Sequence, residues 1–364
     1  MPLNYFMKKM KIRIDNTEVE AEAGQTVLEA ARKAAIEIPT MCHADGLEPY
    51  SSCMVCMVKD NQRNSFIPSC SALVQDGMDI DASGDDVISL RKKAVLLLLS
   101  EHRAECEAQC RIVCPKGYNI PLMNRLLIAG KHEDAAELIR AEMEGGELNC
   151  ITCKAFCENA CRRKKIDTPV SIRNTRIFIS RHLPEVAKDQ VSPYHSEADV
   201  RKRFSSRIGP LQESEQQEWI KECMENIIRH REITDYVMAS AEAVSCMRCD
   251  CRAADNCKLR ELAEKFDLKD PKGKFVNAPI SKKINKKTGL IFENAKCIKC
   301  GLCVRATRDT LEEPSLCFTG RGFVSIISEP LTAEFGDIPA SAAERGIEVC
   351  PTGALGHFDN ITGK

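Results

Sequence analysis

The sequence predicts a multidomain α+β protein, and three observations carry that prediction. The chain has 364 residues, enough for two or three domains at roughly 100 to 200 residues each. Its first stretch alternates polar and apolar residues and then passes into a capped helix, whereas much of the remainder has helical periodicity. Its 21 cysteines fall mostly into four tight groups.

Along KIRIDNTEVEAEAG, Ile12 and Ile14 share one face and Asp15 and Asn16 offer a polar turn, which predicts a hairpin. Thr26 and Glu29 form a T-x-x-E capping box ahead of VLEAARKAA. Two strands followed by a helix predict a β-grasp module over residues 1–85. A leucine-rich helix is expected around 89–100, and cysteine-bearing helical segments extend this helical domain over 86–183. Pro184, Pro193 and Pro210 among charged residues mark a connector. Beyond it Trp219, Ile220, Met224, Ile227 and Ile228 recur at helical spacing, giving a linker and helical region over 184–243. A compact four-cysteine region (244–270), a lysine-rich linker (271–289) and a carboxyl-terminal domain (290–364) complete the order.

Composition excludes several classes. A net charge of −1 gives no bulk attraction to nucleic acid. The start, MPLNYFMKKMKIRI, lacks an apolar core and cleavage site. The longest purely apolar run, AVLLLL, is far short of the roughly 18 to 20 residues that span a bilayer, so no membrane span is expected. An odd number of grouped thiols fits metal-bound thiolates in a reducing cytoplasm better than disulfides. No G-x-G-x-x-G, P-loop or G-x-S-x-G pattern provides a nucleotide site or a nucleophile, so no catalytic residue is assigned.

The first group, Cys42, Cys53, Cys56 and Cys70, has the spacing C-x10-C-x2-C-x13-C. Four thiolates suit a [2Fe-2S] cluster or tetrahedral zinc; the capped helix and hairpin favour the cluster. The second begins in SEHRAECEAQCRIVCP, which sets His102, Cys106, Cys110 and Cys114 at intervals of four. On a continuous helix they would form one stripe. A stripe cannot wrap a single cluster, so the helix must unwind near Pro115 or share its thiols between sites. Cys150, Cys153, Cys157 and Cys161 follow in NCITCKAFCENACRRKKIDTPVSI. The third group, Cys246, Cys249, Cys251 and Cys257, is compact enough to hold a [4Fe-4S] cluster or zinc.

The fourth group starts with CIKCGLCVRAT: Cys297, Cys300 and Cys303, then Thr307 where a bacterial ferredoxin has its fourth cysteine. In two-cluster ferredoxins that fourth cysteine serves the other cluster. Here the second triplet is also missing, its place taken by IPASAAERGIEVC, while Cys350 before Pro351 survives to complete the first set. One whole site is lost and one whole site remains. Cys223 and Cys317 lie outside the groups and are expected to be core or interface residues.

On these motifs, residues 1–85 and 290–356 resemble the [2Fe-2S] and ferredoxin domains of the large iron-sulfur subunit of respiratory complex I and of iron-only hydrogenases. Residues 100–180, with their C-x3-C-P and later C-x3-C before P-V-x-I, resemble the paired [4Fe-4S] domain of glutamate synthase small subunit and dihydropyrimidine dehydrogenase. That resemblance implies a β-grasp [2Fe-2S] ferredoxin domain, an α-helical paired-cluster domain and a bacterial ferredoxin-like carboxyl-terminal domain. It implies one [4Fe-4S] site from Cys106, Cys110 and Cys161 and another from Cys114, Cys153 and Cys157. His102, in an H-x3-C arrangement like the histidine ligand of a complex I cluster, would complete the first. His102 also reads as a plain polar residue ending a helix. Cys150 or an oxygen side chain would complete the second.

The expectation is therefore one [2Fe-2S] and about four [4Fe-4S] clusters in an electron-transfer subunit of a multisubunit oxidoreductase. Its implied partners are a flavoprotein that oxidises NADH or NADPH and a catalytic or acceptor subunit. A zinc-stabilised interaction scaffold and a self-sufficient iron-sulfur reductase are the alternatives.

Overall fold

The computed structural model describes residues 9–102, 106–143, 147–183, 231–253, 256–268 and 282–358. The connector prolines, Cys223, the Trp219 periodicity and most of the lysine-rich tract lie outside them. In chain order the elements are β1 (Lys9–Ile14), β2 (Thr17–Glu22), α1 (Val27–Lys33), β3 (Met57–Asp60), β4 (Ser65–Pro68), β5 (Asp79–Asp81) and α2 (Asp85–Glu101). Then come α3 (Gln109–Ile112), α4 (Ile120–Ile128), α5 (His132–Ala141), α6 (Phe156–Asn159), α7 (Ile172–Arg181), α8 (Tyr236–Val244) and α9 (Lys258–Lys265). The remainder is β6 (Lys282–Asn285), β7 (Leu290–Glu293), α10 (Leu302–Arg308), β8 (Cys317–Thr319), β9 (Ile326–Ser328), α11 (Ala340–Val349) and β10 (Leu355–His357).

These elements form two compact units, each discontinuous in sequence: 1–102 with 257–277 and 297–352, and 103–256 with 278–296 and 353–364. The units cut across the six consecutive segments expected from the sequence.

In the first unit β1 and β2 pair antiparallel from Lys9↔Glu22 to Ile14↔Thr17. Asp15 and Asn16 make the tight turn at φ of 47° and 68°, the left-handed pair that a two-residue hairpin requires. Five strands assemble in the order β2-β1-β5-β3-β4, with β5 parallel to β1. Ile12, Ile14, Val19 and Ala21 point from one face onto Val27, Leu28, Ala30 and Ala31 of α1. Alternation with period two produces that face, and burying each large aliphatic contributes about 1.5–3 kcal/mol. The capping box is present: the Glu29 amide donates to Thr26 Oγ1 at 3.2 Å, and the Thr26 amide to Glu29 Oε2 at 2.7 Å. In the same unit α10 packs against α11, and β8 pairs with β9.

The second unit is mostly helical. Its core joins Leu122, Met123, Leu126 and Leu127 of α4 to Ala135 and Ile139 of α5, Phe178 and Ile179 of α7, and Ala239 and Ala243 of α8. A three-stranded sheet, β10-β7-β6, completes it. The stripe of four-residue steps does not survive as one helix. Helix α2 ends at Glu101 with His102 as its cap, Cys106 precedes the single turn α3, Cys110 lies within that turn, and Cys114 follows it. The unwinding therefore begins well before Pro115 rather than at it. Among the described residues, no helix is long and apolar enough to cross a membrane.

Candidate metal centres

The loop between α1 and β3 carries Cys42, Cys53 and Cys56, and the turn after β4 returns Cys70 to it. All four are buried. A hydrogen bond from the Cys53 thiol pulls Cys42 down to about 5, and one from Cys56 pulls Cys70 down to about 6. Cys53 and Cys56, held as donors and buried, are driven far up. Ser51 Oγ stands 3.4 Å from Cys70 Sγ. Ser51 and Met54 take φ of 53° and 56°, curling this loop around the thiols.

Cys297, Cys300, Cys303 and Cys350 converge in the same unit. The Lys299 amide donates to Cys297 Sγ at 3.3 Å, with Lys299 at φ 54° and Gly301 at φ 70°. A Cβ at position 301 would approach the Phe318 ring to 3.2 Å, so this left-handed step needs glycine. Burial, then repulsion from Cys297, Cys300 and Cys350, raises the Cys303 thiol well above its ordinary value. Thr307 has a structural task instead of a ligand's: its buried Oγ1 accepts the Leu316 amide at 3.1 Å. Helix α11, where a second triplet would lie, presents Ala342, Ala343, Gly346 and Ile347 to the interior. Cys317 is half-buried in β8.

In the second unit Cys114, Cys150, Cys153 and Cys157 line a cavity of about 210 Å³ together with Tyr118 and Arg176. Arg176 is fully buried, stacks 4.1 Å from the Tyr118 ring centre and pairs with Glu142 at 2.8 Å. Burial pushes the Cys157 thiol up to about 12. It also raises Cys150, against which the Arg176 cation works.

Cys110, Cys161, Cys246 and Cys249 line another cavity of this unit. The grouping expected from the sequence is different: it joins Cys110 and Cys161 to His102 and Cys106, and Cys246 and Cys249 to Cys251 and Cys257. The difference is tertiary in origin: α8 packs on α4, and the loop leaving α8 carries Cys246 and Cys249 to α3. Cys106 and Cys251 also lie in the second unit, where the Cys251 amide donates to the Cys106 carbonyl at 3.1 Å. His102 and Cys257 belong to the first unit, and both are buried. Among the described residues, no three His, Cys, Asp or Glu side chains converge on a point that would hold a single metal ion.

Comparison with known proteins bears on the first site. Residues 7–84 match the 2Fe-2S iron-sulfur cluster binding domain. The match is confined to this segment. The chain is similar to an NADH-quinone oxidoreductase subunit of Rhizobium meliloti (strain 1021), 32% identical over 124 residues, covering 34% of this chain and 14% of that protein. It is also similar to the NADP-reducing hydrogenase subunit HndD of Solidesulfovibrio fructosivorans, 31% identical over 170 residues, covering 43% of this chain and 28% of that one. The matched part is thus under a third of the length of either relative. Over 96% of its residues and 87% of the other chain it shares a fold with a chain of the crystal structure of NAD+-reducing [NiFe]-hydrogenase in the H2-reduced state, at a TM-score of 0.51 and 16% identity.

Two arginines around the 2Fe-2S domain carry no sequence signal. Arg91 of α2 is buried, donating to the Met57 carbonyl at 2.9 Å and the Ala82 carbonyl at 2.8 Å. Burial lowers its pKa, while the nearby Cys56 works in the opposite direction. Arg305 of α10 reaches the domain's cysteine loop, donating to the Cys42 carbonyl at 3.0 Å and to the Glu48 carbonyl. Its Nε also donates to the Gly301 carbonyl at 3.2 Å. No motif marks either residue; each becomes visible only once its partners are placed.

Proposed function

We propose that the chain is an iron-sulfur electron-transfer subunit, relaying single electrons between a flavin- and NAD(P)H-oxidising partner and a catalytic or acceptor subunit. In this reading Cys42, Cys53, Cys56 and Cys70 hold a [2Fe-2S] cluster in a β-grasp domain. Cys297, Cys300, Cys303 and Cys350 hold a [4Fe-4S] cluster in a domain like that of bacterial ferredoxins. Cys114, Cys150, Cys153 and Cys157 hold another in the helical paired-cluster domain. The remaining grouped cysteines, with His102, bring the total to about four [4Fe-4S] clusters.

The observation that carries the proposal is the set of four buried thiols, Cys42, Cys53, Cys56 and Cys70, within the segment that matches the 2Fe-2S iron-sulfur cluster binding domain. The chemistry such clusters supply is reversible one-electron reduction, without bond-making on a substrate. The chain's own residues hold the thiolates, donate amide hydrogen bonds to sulfur, as Lys299 does, and keep water away through burial. Arg305 holds the Cys42 loop against the turn that carries Cys300, so electrons entering one site have the other as a near neighbour. The burial of Cys300 is compounded by repulsion from Cys42 itself, which reports the same proximity.

The test is anaerobic purification followed by metal and acid-labile sulfide analysis. The proposal expects about 18 iron and a matching amount of sulfide per chain, with no zinc. It also expects a [2Fe-2S] electron paramagnetic resonance signal after dithionite. A colourless zinc protein, or NADH-driven dye reduction by the isolated chain, would overturn it.

A further inference from the structure

We infer that Cys110, Cys161, Cys246 and Cys249 together ligate one [4Fe-4S] cluster, with the C-x2-C half of the site supplied by the loop that leaves α8. The inference rests on the iron-sulfur reading above. It also redraws that reading's ligand sets, because the sequence alone assigns these four residues to two different sites.

Three observations meet here. The four thiols line one cavity, and Cys110 feels Cys246, Cys249 and Cys161 in addition to its burial. Cys161 in turn feels Cys249 and Cys246. Cys106 and Cys251 are not among the residues lining this cavity.

The second observation is the shape of the turn. In Cys246-Met-Arg-Cys249, Arg248 takes φ 44° and its amide donates to Cys246 Sγ at 3.4 Å. In Cys297-Ile-Lys-Cys300, Lys299 takes φ 54° and its amide donates to Cys297 Sγ at 3.3 Å. A non-glycine residue adopts this left-handed step only at a cost in free energy, so it persists where the surroundings demand it. Both turns adopt it at the same position and with the same N–H to sulfur bond. The 246–249 loop is therefore built like the turn of a ferredoxin site.

The third is an orphaned amide. Asn124 of α4 is 1% exposed and lines this cavity, and among the described residues neither its Nδ2 nor its Oδ1 has a hydrogen-bond partner. A buried carboxamide with nothing to bond is destabilising. A sulfide of a cluster in the cavity would accept the Nδ2 hydrogen and remove that cost. Arg162 Nη1, 3.9 Å from Cys249 Sγ, adds a cationic donor beside the same sulfur. Asn124 is a positioning residue in this scheme: it acts on the cluster's potential and ligates nothing.

Iron counting in the full chain, prepared anaerobically, decides the matter. Cys110→Ser and Cys246→Ser should each lose about four iron, and the double variant should lose the same four because one cluster is removed once. Cys114→Ser combined with Cys246→Ser should lose about eight. The retained [2Fe-2S] signal certifies that each variant is folded. If Cys110→Ser with Cys246→Ser loses about eight iron, the two cysteines serve different clusters and the inference falls. Should the cysteine variants not accumulate, Asn124→Leu provides the second route. It should lower the midpoint potential of one [4Fe-4S] signal with iron content unchanged, and a titration identical to the parent would count against the site. Wild-type chain without iron or sulfide would instead overturn the underlying function, leaving the two failures distinct.

Discussion

Asp250 is the residue whose loss should most loosen the second unit. It lies between Cys249 and Cys251, and its carboxylate accepts both bonds of a fork from Arg125 Nη1, at 2.8 and 2.6 Å, and one from Arg252 at 2.9 Å. Its carbonyl takes Arg252 again at 2.8 Å. Burial alone would raise this carboxyl, but Arg125 and Arg252 outweigh it and hold the group below the usual carboxylate range. Asp250→Asn keeps the shape and leaves two buried guanidinium groups short of their counter-charge. Breaking a buried pair this way costs about 3–5 kcal/mol, or roughly 6 to 20 °C in melting temperature for a unit of this size. Because the carboxyl's folded value is depressed, its stabilisation is complete above the unfolded value of about 3.9 and fades as pH falls below it. The gap between parent and variant should therefore be full at neutral pH and narrow in acid. The assay is an anaerobic melt at fixed scan rate, paired with iron content. Arg125→Met combined with Asp250→Asn should cost less than the sum of the single changes, by about 0.5–3 kcal/mol. Unchanged melting at neutral pH, or strict additivity of the two changes, would refute the reasoning.

Three further predictions concern the first unit. Arg91→Met removes a buried cation near Cys56, so the [2Fe-2S] midpoint potential should fall, as a redox titration followed by electron paramagnetic resonance would show; an unmoved potential counts against its electrostatic role. Thr26→Ala removes the cap that Glu29 reciprocates and should destabilise the 2Fe-2S domain by about 1 kcal/mol in denaturant unfolding, with Thr26→Ser largely neutral. Arg305→Ala gives up the bonds to the Cys42, Glu48 and Gly301 carbonyls. It should leave iron content intact while slowing reduction of the carboxyl-terminal site relative to the [2Fe-2S] site in rapid-freeze experiments.

The local half of this structure was legible in the chain. A T-x-x-E box is a short-range device, satisfied by atoms three residues apart, and the capped helix α1 appears where it places it. Asp15-Asn16 needs only its two neighbours to set a left-handed turn, and the pairing from Lys9↔Glu22 to Ile14↔Thr17 follows. The parallel partner of β1 was not legible, because β5 is three residues long and its place is set by register with Arg13 and Ile14 rather than by any pattern of its own. Helix α2 ends at Glu101, beside the expected end near 100. Proline at 115 is a strong breaker, yet the chain leaves the helix at His102, so the thiol-bearing residues that follow are free of helical spacing well before proline compels it.

Ligand partnership is the harder case. Spacing such as C-x2-C shows that a pair of thiols can bind one metal group, because two intervening residues let the chain turn back on itself. It carries no information about which other pair completes the set, since that depends on which helices pack. Cys246 and Cys249 are close in sequence to Cys251 and Cys257 and more than 130 residues from Cys110, yet α8 lies on α4 and delivers them to α3. On the inference drawn above, the 246–249 turn completes the set begun by Cys110 and Cys161, a partnership that the spacing of either segment leaves open. A missing ligand in a metal motif is thus better sought among distant thiols with the right turn geometry than among near ones with any geometry.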